Sequence, residues 1–422
     1  MRFILPLVTL LASQSAFAKF EVHEWGTFTS LVGSNGVTQN GMYHEDEPLP
    51  DFVHSFGAMQ PQAPQPEPVP PPFRPNPRPC HSKMCFGDGN DFFDHNVVTQ
   101  KMETPVIYFY SDQDRQVDVN VRFPQGVVTD TFPAPVATSP TMGDIRELAN
   151  GNTTFHVEVL PATSGNIPYV NSNNIYSHAR NTASNLVKIN NEQEKFIFYR
   201  GIGRFQPRMQ IGSSGGGLGL YAENNADRPL AIFLVHVNEQ GHGQLMHVGM
   251  YYGESNVDPE SIRALEDHSS QHSGVLTGEA SRNALITALT ANGLFTDEAT
   301  AMVDTWENGY LKVPGLRLLY ILPRTETDSA LPLTVSPAPD ALKRVFVGRI
   351  EVLLDTDEAQ IIARIVKERD AFQVASLGRF AEPTLRRILE VYNATKAPNT
   401  EVVALINRLI TDAAHGDNGN LN

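Results

Sequence analysis

The chain has 422 residues and a formal net charge of -15 at pH 7, from 47 acidic against 32 basic side chains. Such an excess of negative charge repels phosphate backbones and sets nucleic acid aside as a partner. The length exceeds what a single core usually holds, so about two or three domains are expected.

At the N-terminus, Arg2, the apolar run Phe3 to Ala12 and the small-x-small triplet Ala16-Phe17-Ala18 form the pattern of a secretory leader cleaved before Lys19. The run is about half of the ~20 residues needed to cross a bilayer, and no later stretch is long and apolar enough. Residues 1–18 are therefore read as a signal peptide, and the mature protein as exported, periplasmic or secreted, with no membrane span.

From Phe20 to Ser30 the chain alternates with β-branched and aromatic content, as a strand does, and Ser34-Asn35-Gly36 marks a turn. About half of the residues from Gln60 to Pro79 are proline; such a segment favours polyproline II and is read as an exposed insertion. Cys80 and Cys85 follow it, and in an exported chain a local disulfide is the expectation, with a Cys-His-Cys metal site through His81 as the sharper alternative. Asp88, Asn90, Asp91 and Asp94 offer oxygen ligands but lack the spacing of a calcium loop.

The segment Met102 to Gly126 reads as a hairpin. Val106 to Tyr110 runs without a polar break, as a strand covered on both faces does, whereas Val117, Val119, Val121 and Phe123 alternate with polar residues. Strand-like runs continue through Phe155–Val159, Lys195–Tyr199, Leu218–Tyr221, Pro229–Val237 and Gln244–Tyr252. Gly212 to Gly217 reads as a flexible loop, and not a phosphate loop, because neither a Lys-Ser/Thr pair nor a helical pattern follows it.

Composition then changes. Helices are expected from Asp258-Pro259-Glu260, Thr277 and Thr296. Strands follow over 316–322, 331–335 and 345–354, and helices again over 357–369, 382–395 and 400–413. The expected fold class is α+β: a β-sandwich-rich N-terminal region over 19–255, then a smaller α+β region over 256–414 with C-terminal helices, and a flexible tail over 415–422. The segregation of helices from strands argues against a doubly wound parallel sheet.

The stretches HEWGTFTS (His23 to Ser30), METPVIYFYS (Met102 to Ser111), PGLRLLYILPR (Pro314 to Arg324) and VGRIEVL (Val347 to Leu353) resemble those of a group of uncharacterised exported bacterial proteins. The resemblance spans both halves of the chain. It implies no activity and assigns no catalytic residue.

Histidine is the natural place to look for metal. A two-residue turn at Gly241-His242 would set His236 opposite His247 and allow them to hold zinc or copper, and a four-residue turn would keep both on one face. His268 and His272 have i, i+4 spacing, but in a segment poorly suited to helix. His23 and Glu24 point to opposite faces of a strand, and the pair is not a HExxH motif. His23 and Trp25 are expected to line a groove with Glu103, whose pKa burial would raise toward general acid or base work. Tyr199 and Arg200, at a strand end, complete the candidate binding set; an arginine such as Arg180 or Arg200 paired to the carboxylate is the structural alternative. No G-x-S-x-G elbow is present.

Two functions are expected from this set. One is a non-enzymatic exported module that binds an envelope component, a glycan or a protein partner. The other is a metal-dependent hydrolase of envelope or extracellular polymers, with His236 and His247 as ligands and Glu24 or Glu103 as base.

Overall fold

The computed structural model describes residues 19–44, 48–55, 98–140, 148–222, 230–251, 253–269 and 272–415. The leader, the proline-rich insertion, Cys80, Cys85 and the cluster Asp88 to Asp94 lie outside the described residues.

The strands, in chain order, are β1 (Phe20–Val32), β2 (His54–Ser55), β3 (Gln100–Ser111), β4 (Arg115–Phe123), β5 (Gly126–Phe132), β6 (Ala137–Ser139), β7 (Gly151–Leu160), β8 (Leu186–Ile189), β9 (Glu192–Glu194) and β10 (Ile197–Gly203). There follow β11 (Met209–Ser214), β12 (Gly217–Ala222), β13 (Leu230–Val237), β14 (Gly243–Tyr251), β15 (Gly253–Val257), β16 (Val275–Thr277), β17 (Gly315–Ile321), β18 (Leu333–Ser336) and β19 (Ala341–Val352). The helices are α1 (Ile175–His178), α2 (Pro259–Glu266), α3 (Gly278–Ala291), α4 (Thr296–Trp306), α5 (Arg324–Ala330), α6 (Asp355–Glu368), α7 (Ala381–Asn393) and α8 (Thr400–His415).

The fold is α+β. A 10-stranded sheet runs β16-β14-β13-β17-β19-β1-β3-β10-β5-β2. Its strands come from both sides of residue 255, and β1 lies along β19 in parallel from Glu21↔Ala341 to Val32↔Val352. The change of composition near 255 is therefore not an edge of the sheet. A 6-stranded sheet built from β18, β4, β7, β8 and β9, with β6 on β7, faces one side of it, and the small sheet β11-β12-β15 joins the same core. The opposite side of the large sheet packs on α1, α3 and α4 through Trp25, Tyr108, Phe196, Leu289, Met302 and Trp306. A separate core unites α6, α7 and α8.

The Met102–Gly126 segment is not a hairpin. β3 pairs with β1 and β10 in the large sheet, whereas β4 pairs with β18 and β7 in the other. The chain arches between sheets, so that Ile107 and Phe109 meet Val117, Val119, Val121 and Phe123 face to face. Apolar alternation fixes which side of a strand is buried, and two buried sides are satisfied as well by stacking as by edge pairing. The Gly212–Gly217 stretch is likewise ordered by pairing: Gly215 and Gly216, at φ +61 and +78, form the two-residue turn between β11 and β12.

Candidate functional site

Strand β1 sends its side chains alternately into the two cores, and this divides the candidate residues. Glu24 lies on the inter-sheet side and is fully buried. The Arg344 guanidinium donates from Nε to one carboxylate oxygen and the Tyr199 hydroxyl donates to the other. Arg344 reaches on to Asp328 of α5 at 2.7 Å. Both oxygens of Glu24 are thus engaged, and burial holds Tyr199, beside that carboxylate, well above the usual phenol range. The structure brings Glu24 and Tyr199 together, but as an internal ion-pair network rather than a base facing a groove.

On the opposite side, His23 is buried under Phe295 with ring centroids 4.5 Å apart, and its Nδ1 lies 2.9 Å from Glu298 Oε2. Glu298 also accepts from the Tyr110 hydroxyl at 2.7 Å and from the Phe295 amide, which closes the first turn of α4. Trp25 is 0% exposed and belongs to the core against Tyr108. Neither His23 nor Trp25 lines a groove, because the helix-bearing side of this sheet is covered at that level by α4.

Further along the same side the apolar pattern breaks into a row of polar groups. A regular β3 would put Met102 here, but the register with β1 shifts between Trp25 and Thr27, and Thr104 takes φ 44 ahead of Pro105. This bulge reverses the alternation: Met102 goes to the inter-sheet core, and Glu103 and Lys101 face the helices. A positive φ on a β-branched residue is costly and tends to occur where a side chain is being aimed. Glu103 sits beside Thr27 on β1 and meets Arg379 at 2.7 Å and the Tyr310 hydroxyl at 2.7 Å.

Burial alone would push Glu103 up, as its apolar neighbourhood suggests. The Arg379 and Arg349 guanidiniums and the Tyr310 hydrogen bond outweigh it and bring the carboxyl down to about 2. The expected raised acid is therefore a firmly ionised carboxylate, and its arginine is Arg379, not Arg180 or Arg200. Arg180 pairs instead with Glu194 at 2.6 Å. Arg200 is buried on β10 opposite Asp130.

The remaining members of the row come from β17 and β19. Glu351 Oε1 lies 2.7 Å from Arg349 Nε and 3.0 Å from Arg317 Nε, and both arginines are 0% exposed. Arg317 also donates to the Tyr310 and Val313 carbonyls. Arg349 packs against two rings, with its guanidinium carbon 4.1 Å from the Tyr310 centroid and 5.2 Å from that of Phe380. Sequence reasoning reached Glu103 and Arg200 and passed over Arg317, Arg349, Glu351, Tyr310 and Arg379. The available signal was a charged residue inside the apolar runs LRLLY and GRIEV, on strands that ought to be covered on both faces.

The proposed pairing of His236 and His247 is overturned by register. Val237 pairs with Gly243, leaving the odd-numbered loop Asn238 to His242, so His236 pairs with Gln244 and His247 with Phe233. An odd loop inverts the parity that a two- or four-residue turn would keep, and the two imidazoles lie on opposite faces. A zinc or copper ion held between them does not fit this geometry. His236 Nδ1 instead lies 3.0 Å from His268 Nε2. Burial, then the nearby His268 and Arg317, bring His236 down to about 4. Among the described residues, no group of three or more His, Cys, Asp or Glu side chains is placed to hold a metal ion, and no helix is long and apolar enough to cross a membrane. No protein-family model and no curated protein matches the chain.

Proposed function

We propose that this is an exported, non-enzymatic module that holds an envelope component, a glycan or a protein partner at the polar row running from Glu103 to Arg317. The observation that carries the reading is convergence. Thr27 and Thr29 of HEWGTFTS, Glu103 of METPVIYFYS, Arg317 of PGLRLLYILPR and Arg349 and Glu351 of VGRIEVL are far apart in the chain, yet share one side of adjacent strands. The strand backbones fix these groups, and the bulge at Thr104 aims Glu103 among them, as suits a site that holds rather than one that transfers protons. Glu24 and Glu103 support the same reading, since each is already committed to an arginine. Export rests on the leader pattern of residues 1–18 and on the resemblance to exported bacterial proteins.

The test is retention. Immobilised mature protein, starting at Lys19, is expected to retain an envelope fraction whose bound molecule is eluted with its mass unchanged. Recovery of that molecule in cleaved form would overturn the binding reading.

A further inference from the structure

We propose that the polar row binds its ligand through a carboxylate, received end-on by the guanidinium of Arg349 and assisted by Thr29. This rests on the binding reading above and names the chemical group which that site takes.

Arg349 is 0% exposed, and its Nε is satisfied by Glu351, but Nη1 and Nη2 are buried with no hydrogen-bond partner among the described residues. Leaving a buried charged donor unsatisfied costs more than leaving a neutral one, and native proteins rarely tolerate it. The rings of Tyr310 and Phe380 also pack against the guanidinium. With the Nε edge used, what remains for a hydrogen-bonding ligand is the planar two-nitrogen end. That end presents parallel N–H groups at the spacing of two carboxylate oxygens.

A second orphan stands beside it. Thr29 is the register partner of Arg349 across the parallel β1–β19 pair, so the two side chains share one side of the sheet. Its Oγ1 is likewise buried without a partner among the described residues. A hydroxyl next to an empty guanidinium fork supplies a further donor to the same acceptor.

A glycine adjoins the residues that cover this site. Phe380 and Arg379 end a 3₁₀ segment, Val374–Phe380, in which Gly378 has φ 57 and ψ -150. A Cβ at Gly378 would meet nothing within 4 Å, so the glycine answers a backbone requirement and not a steric one. Rotation about it would lift Phe380 from Arg349 without breaking a strand.

The experiment measures thermal unfolding of the mature full chain against increasing sodium acetate and, separately, sodium phosphate, each at ionic strength matched with sodium chloride. Acetate is expected to raise Tm saturably, as ligation of the folded state must. Arg349→Lys keeps the charge but lacks the fork, and is expected to weaken apparent acetate affinity at least tenfold. Thr29→Val is nearly isosteric and removes only an unsatisfied hydroxyl; it is expected to fold at least as stably as the parent in chloride and to lose part of the acetate response. The inference is overturned if acetate gives no saturable shift beyond chloride, as when ordered water alone satisfies Arg349. It is overturned equally by a phosphate response that saturates while the acetate response does not, or by an acetate response unchanged in both variants. Envelope retention that persists when acetate fails to bind removes the carboxylate alone and leaves the binding module in place; loss of retention removes the module.

Discussion

At Glu24, one side chain shows how burial, partner and role are decided together. A carboxylate with no exposure persists only if its charge is compensated, and Arg344 with Tyr199 provides this between the sheets. Arg344→Ala is expected to cost about 3–5 kcal/mol in chemical denaturation, because it strands a buried charge, whereas the double change Glu24→Leu with Arg344→Leu should cost much less. Equal losses for the single and double variants would refute this account. Glu103 and His236 give separate pH windows. Both are held below their ordinary values of 4.5 and 6.5, at about 2 and about 4, so at each the unfolded chain binds its proton first as pH falls. The Glu103 contribution is complete above about pH 4.5 and is lost toward about 2; that of His236 is complete above about 6.5 and is lost toward about 4. Glu103→Gln should flatten the stability profile below pH 4.5, and His236→Gln should flatten it between 6.5 and 4, as read from Tm against pH. That His23 and Glu24 face opposite ways was legible from period-2 alternation alone. Their partners were not, since Arg344 and Glu298 lie some hundreds of residues away and nothing local identifies them.

Among the elements, the two turn-like features carry opposite lessons. Gly215 and Gly216 were visible as glycines, and the structure adds why both are needed: positive φ at each, with Asp355 accepting from both amides at 2.8 and 3.1 Å. Gly216→Ala is expected to lower stability by about 1 kcal/mol from the left-handed backbone penalty, measured by urea denaturation. The bulge at Thr104 was invisible, because Glu103-Thr104-Pro105 reads as an ordinary strand entrance. One residue of slip there exchanges the faces of Met102 and Glu103, and with them the content of the site. The same parity argument decided His236 and His247, where loop length and not strand pattern set the outcome. Helices were easier to place: α2, α3, α4, α6, α7 and α8 begin near expected positions, because caps and 3.6-residue periodicity are local. The short α5 carried too few residues to show a period.

For the molecule as a whole, strand identity was largely legible and sheet topology was not. Alternation tells a strand which face to bury but not which neighbour to take, and β19 comes to lie beside β1 across most of the chain. A fragment ending at residue 255 would lack β17 and β19 and leave the long edge of β1 unpaired; it is expected to aggregate or to give no cooperative unfolding transition. A cooperatively folding fragment would show that β1 has other support. The amide of Phe20 is bonded to Asp340, 320 positions downstream. One edge of the central strand can pair early, with β3, but the other cannot meet β19 until most of the polypeptide has emerged. The longest pairing in the molecule is thus one that joins its two ends, and it is among the last that the growing chain can complete.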